Sequence, residues 1–127
     1  MGVVFVNSRI TNFYDFLTKI KYDSDYYKRA IDEITVNVTE MFRDPSFYKV
    51  VRTEILPVLA TKPFIRLWHA GCASGEEVYS MAILLKEANL LHKSLIYATD
   101  INDLVLNTAK KGVFPLRMMK QYSENYL

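Results

Sequence analysis

The residues best suited to chemistry in this 127-residue chain stand close together. Gly71-x-Ala73-x-Gly75 separates the apolar run Ile65-Arg-Leu-Trp68 from a helix-like run that starts near Val78, and two acids, Glu76 and Glu77, follow the second glycine directly. Further on, a second β-branched and apolar run, Leu95-Ile-Tyr-Ala-Thr99, is closed by Asp100. A turn of small residues between a strand and a helix lets a ligand approach the backbone. An acid at the end of the next strand can accept hydrogen bonds from both hydroxyls of a ribose. The small-residue turn alone is equally the mark of an ordinary tight turn. Turn, helix, strand and terminal acid in that order point to a nucleoside.

Glu76 and Glu77 narrow the choice of nucleoside. A helix N-terminus normally attracts phosphate, and two carboxylates placed there oppose it by about 1 kcal/mol or more. NAD or ATP would bring phosphates to this point. S-Adenosylmethionine has ribose hydroxyls, a sulfonium and an ammonium group, and no phosphate. The plainer alternative is that the glutamates only complement the helix dipole, which suits one of the two. An ordinary dinucleotide-binding half stays open as a further reading.

The elements that must position these residues follow from periodicity. Phe13, Phe16, Leu17 and Ile20 recur at helical spacing and predict a helix over 12–20; Tyr27, Ala30, Ile31 and Ile34 predict a second, capped at Ser24-Asp25. Ile34-Thr-Val-Asn-Val-Thr39 alternates and reads as extended. Asp44-Pro45 is a helix start, with the carboxylate expected to cap free N–H groups and Pro57 expected to end or kink the helix. In the second half, Met81, Ala82, Leu85 and Ala88 mark one helical face, Asn102 a cap, Val105 and Ala109 a buried side, and Gly112 a helix end. Strand, helix, strand, helix is a βαβα unit, which belongs to a parallel, doubly wound α/β sheet.

Composition excludes several classes. Half the residues are hydrophobic and 24% are charged, the profile of a globular chain. A net charge of +2, without a basic run, gives no footprint for nucleic acid. One cysteine and two histidines leave no internal disulfide and no all-protein metal site. The opening Val3-Val-Phe-Val6 is too short to insert in a membrane or serve as a secretory segment, so the expected location is cytoplasmic. Cys72 reads as a small turn residue and His69 as a packed or solvent-facing strand-end residue, neither as a catalyst.

Three stretches carry a resemblance. Ile34-Thr-Val-Asn-Val-Thr-Glu-Met-Phe-Arg-Asp-Pro45, then Trp68-His-Ala-Gly-Cys-Ala-Ser-Gly-Glu-Glu-Val-Tyr-Ser80, then Ala98-Thr-Asp-Ile101, are similar in order and spacing to the CheR-type chemoreceptor methyltransferases. The resemblance extends over about residues 12–127. It departs mildly from the family at Val38, at Met41 (an aromatic), at His69 (a small residue) and at Val78 (proline). It implies a partial Rossmann-like S-adenosylmethionine-dependent methyltransferase preceded by a helical segment. Residues 1–34 would end an N-terminal helical domain, and 35–127 would form the front part of the catalytic domain. It implies that Asn37, Thr39 and Arg43 contact the cofactor or the reacting centre, and that Glu77 and Asp100 hold the cofactor beside the Gly71, Ala73 and Gly75 turn. Asp100 would take the ribose. Arg43 is the candidate catalytic residue; its guanidinium fork suits either the methionine carboxylate or an acceptor glutamate, and its plain alternative is a surface arginine at a helix start.

The implied reaction is in-line transfer of a methyl group to a glutamate carboxylate of a chemoreceptor cytoplasmic domain. It yields a glutamyl methyl ester and S-adenosylhomocysteine, without metal. Later strands of the family have no counterpart before Leu127, so the chain reads as an incomplete piece with unpaired sheet edges that favour self-association. The rival reading is a non-catalytic S-adenosylmethionine or S-adenosylhomocysteine binding module, or an inactive fragment.

Overall fold

The computed structural model describes residues 10, 12–35 and 39–115, and the chain divides into two compact units, 1–37 and 38–127. Of the extended stretch expected at 34–39, residues 36–38, Asn37 included, lie outside the described residues, and Ile34 is the last residue of a helix.

The first unit holds two helices, α1 (Phe13–Tyr22) and α2 (Ser24–Ile34). Asn12 caps α1 by accepting from the Asp15 N–H at 2.9 Å. Asp23 serves both helices, since its N–H donates to the Lys19 carbonyl while its carboxylate accepts from the Tyr26 N–H. The cap expected at Ser24-Asp25 thus falls one residue earlier, where the backbone is extended (φ −116°, ψ 101°) as a cap requires. Ile10, Phe16, Tyr26 and Ala30 bury one another, with Phe16 and Tyr26 meeting edge to face at 6.2 Å.

The second unit begins with α3 (Pro45–Val50), which runs through a π-helical segment, Val51–Ile55, into α4 (Leu56–Ala60). Pro57 was expected to end or kink this helix. The helix instead passes through it, because the turn before the proline widens and Leu56 donates to the Val51 carbonyl, five residues back. A proline has no N–H to place in the regular ladder, so a local change of hydrogen-bond register accommodates it. Asp44 precedes Pro45 as expected, but its carboxylate accepts from the Ser46 hydroxyl at 2.7 Å.

The chain then forms β1 (Ile65–Ala70), α5 (Glu76–Glu87), a 3-10 turn at Leu91–Lys93, β2 (Ser94–Thr99) and α6 (Asp103–Lys111). β1 and β2 pair in parallel, from Ile65 opposite Ser94 to Ala70 opposite Thr99. This is the βαβα unit read from the sequence. On α5 the buried stripe is Ser80, Met81, Leu84 and Leu85, whereas Ala88 lies exposed just past the last helical residue. The stripe is thus rotated from the expected Met81, Ala82, Leu85 and Ala88, since α5 turns Ser80 and Leu84 toward the core.

Met41, Phe42, Tyr48, Val51, Leu56 and Ile65 pack with Met81, Leu84, Leu85 and Leu90 into the core of this unit. Ile65 and His69 on β1 are buried, while Arg66 and Trp68 between them are exposed, as alternation along a strand dictates. Asn102 caps α6, its side chain accepting from the Leu104 and Val105 N–H groups, and Gly112 ends that helix in the left-handed conformation at φ +60°.

Candidate cofactor site at the glycine turn

Two backbone donors, Gly71 N–H and Cys72 N–H, reach the Thr99 carbonyl at 2.8 and 2.9 Å, so the turn after β1 is anchored to the end of β2. Gly71 (φ +74°) and Gly75 (φ +95°) both adopt the left-handed region that favours glycine. Their surroundings differ. A side-chain carbon at Gly71 would meet nothing within 4 Å, so open space lies against the backbone there; at Gly75 it would stand 3.0 Å from Ala109 Cβ. Gly71 gives access, and Gly75 gives the close approach of α6 to the start of α5.

Ala73 also has positive φ, +47°, a conformation that costs a non-glycine residue about 1 kcal/mol. Its N–H donates to Asp100 Oδ2 at 2.8 Å, a charge-assisted bond that offsets the strain. Asp100 Oδ1 accepts from the Asn102 N–H at 2.9 Å. One carboxylate therefore fixes the turn after β1 and the entrance to α6 together. Each of its oxygens keeps a further lone-pair direction for a ligand.

The two glutamates have separate surroundings. Glu76 is buried at the first position of α5 and takes bonds from the Ser74 hydroxyl at 2.9 and 2.7 Å. Glu77 has a side chain 59% exposed, and its Oε1 lies 2.7 Å from His69 Nδ1. Cys72 is buried, and burial, aided by the nearby Asp100 charge, raises its thiol above the usual range. It is held as a neutral thiol rather than a nucleophile.

Arg43 lies in a turn with Met41 and Phe42, and Thr39 is half-buried on the approach to it. Phe42 adopts φ +52°, and its N–H donates to the Ser80 hydroxyl at 3.0 Å. Ser80, wholly buried, in turn donates to the Glu76 carbonyl at 2.8 Å. The turn that carries Arg43 is thereby pinned to the first turn of α5, the helix that carries Glu77. Tyr48 packs against Phe42 at a ring distance of 4.8 Å. Burial raises its phenol above the usual range, with the Ser80 hydroxyl beside it opposing that shift. Ser80, Tyr48 and the His69 bond were not singled out from sequence. A serine within an amphipathic helix has no local signature when its partner lies 38 residues away.

The donor set suits one kind of ligand. Glu77 and Asp100 put two carboxylates beside an open glycine turn, an arrangement that attracts ammonium, sulfonium or hydroxyl donors and opposes phosphate. Against known families, residues 37–127 match the one described as CheR methyltransferase, SAM binding domain. The chain belongs to the CheR methyltransferase family. As a CheR-family chain it is 47% identical over 108 residues to the putative methyltransferase Cher3 of Pseudomonas putida, covering 85% of this chain and 40% of that protein. It is 41% identical over 95 residues to a chemotaxis protein methyltransferase of Borreliella burgdorferi (67% and 34% covered), and 31% identical over 121 residues to one from Listeria innocua (94% and 46% covered). It thus spans less than half the length of each of these relatives. The family's cofactor is S-adenosylmethionine. Among the described residues, no helix is long and apolar enough to cross a membrane.

Proposed function

We propose that this chain forms the front part of a cytoplasmic methyltransferase that esterifies glutamate side chains of a chemoreceptor cytoplasmic domain. The observation that carries the proposal is the open turn at Gly71 flanked by Asp100 and the exposed Glu77. Relatives named as chemotaxis protein methyltransferases support the choice of substrate. Bound here, S-adenosylmethionine supplies a methyl group made electrophilic by its sulfonium. Asp100 accepts from the ribose hydroxyls, Glu77 from the ligand's cationic end, and the backbone of Gly71, Ala73 and Gly75 admits the ligand to close range. Asn37, Thr39 and Arg43 complete the site, with Arg43 orienting a carboxylate through its guanidinium fork. An acceptor glutamate is already ionised at neutral pH, so the protein's task is to position it and exclude water rather than to deprotonate it. The domain division proposed is 1–34 for the end of a helical domain and 35–127 for the catalytic domain.

Because the chain spans less than half of its relatives' length, a second reading is kept. The piece alone binds S-adenosylmethionine or S-adenosylhomocysteine without turnover. Calorimetric titration with S-adenosylhomocysteine, with ATP as control, is paired with a labelled-methyl assay on receptor cytoplasmic domains. Saturable binding of the first ligand and none of ATP is expected. Preferential binding of ATP would overturn the sulfonium argument, and binding without transfer would favour the module.

A further inference from the structure

Packing alone does not account for the surroundings of His69. Its side chain is only 7% exposed, yet its single hydrogen bond runs outward, to a carboxylate that is 59% exposed. The other ring nitrogen, Nε2, is buried with no hydrogen-bond partner among the described residues. A histidine kept for the core alone would be expected to satisfy both nitrogens, because a buried polar atom left unpaired is destabilising. Here the ring carries that cost and is used only at Nδ1, on Glu77. An ionised carboxylate can only accept, so against Glu77 as carboxylate the Nδ1 tautomer makes the imidazole the donor in this 2.7 Å contact.

The geometry is fixed by two rigid elements. His69 stands on β1 beside Ala98 of β2, and Glu77 on the first turn of α5, with the glycine turn between them. The imidazole thus ties the strand before the glycine turn to the helix after it and holds the Glu77 carboxylate. A free glutamate on a helix surface samples several rotamers and must be immobilised when a ligand binds. We propose that His69 is a positioning residue that pre-orients Glu77 toward the cationic end of the bound nucleoside. This rests on the reading of Glu77 as a ligand contact. His69 itself does not touch the ligand and acts only through Glu77.

The test is a double-mutant cycle on S-adenosylhomocysteine affinity, measured by calorimetry on the wild type, His69→Ala, His69→Asn, Glu77→Gln and the His69→Ala/Glu77→Gln double variant. His69→Ala is expected to weaken binding about 3- to 10-fold, the range for one newly mobile side chain, and to have less than a twofold effect once Glu77 is Gln. His69→Asn, whose amide N–H can take the place of Nδ1–H, is expected to recover most of the loss. Equal losses in both backgrounds, or no loss at all, would overturn the positioning role while leaving Glu77 as a contact. No binding by the wild type would instead remove the ligand reading, and the positioning role with it. Should His69→Ala not fold, nitrogen-edited NMR of the imidazole decides. The Nδ1–H resonance should be present in the wild type and shift in Glu77→Gln, and an imidazole protonated only at Nε2 would overturn the proposal.

Discussion

Ala73 and Gly75 lie two positions apart in one turn, both at positive φ, and their substitution should act in opposite directions. Ala73→Gly removes the left-handed strain and should stabilise the chain by about 0.5–1 kcal/mol. Gly75→Ala adds both strain and a 3.0 Å approach to Ala109 on α6, and should cost about 1–3 kcal/mol. Thermal unfolding of the two variants checks this pair. A matching shift in both would mean that the turn is softer than its hydrogen bonds to Thr99 and Asp100 imply. At this scale the sequence was informative about residue types and silent about partners. Glycine, alanine and aspartate at these spacings announce a turn with a terminal acid. That Asp100 would bond to Ala73 N–H, or His69 to Glu77, depends on side-chain directions fixed only when β1, β2 and α5 have packed.

Among the elements, α5 joins the two motifs. Its first turn holds Glu76 and Glu77, and Ser80 one turn further holds the Phe42 amide and so the turn that bears Arg43. Ser80→Ala would remove the hydroxyl acceptor of that buried amide. The expected outcome is a loss of about 1–3 kcal/mol in stability, together with weaker S-adenosylhomocysteine binding as the Arg43 turn loosens. Chemical denaturation and calorimetry measure the two effects, and unchanged binding in a destabilised variant would separate the Arg43 turn from the site. The βαβα order was legible because two apolar runs, a glycine turn and the Asn102 cap each carry a local signal. The π-helical passage before Pro57 was not, since a proline in a helical pattern ordinarily ends it, and the widened turn that carries the helix past it has no local signal.

For the whole chain, the sheet has two strands among the described residues, and its outer face carries Trp68, Tyr97 and Leu95 beside Arg66 and Thr99. Trp68 is 71% exposed, Tyr97 opposite it is 50% exposed and Leu95 is 42% exposed. We propose that this face, with sheet edges that are unpaired among the described residues, associates with a second copy; light scattering should then report a mass that rises with concentration in the micromolar range. Trp68 is the chain's one tryptophan and gives a second readout: its emission should shift to the blue as association buries it. Leu95→Lys should suppress both changes, and a concentration-independent monomer would dismiss association.

The bond from Ala73 to Asp100 joins residues 27 positions apart, and it can form only after β2 has come alongside β1. The glycine turn is therefore shaped late, as a product of strand docking rather than as its nucleus. Contacts made after the folding transition state bear on the rate at which a chain opens more than on the rate at which it folds. A ligand seated at this turn would accordingly act as a brake on unfolding, lengthening the lifetime of the native chain without hastening its arrival.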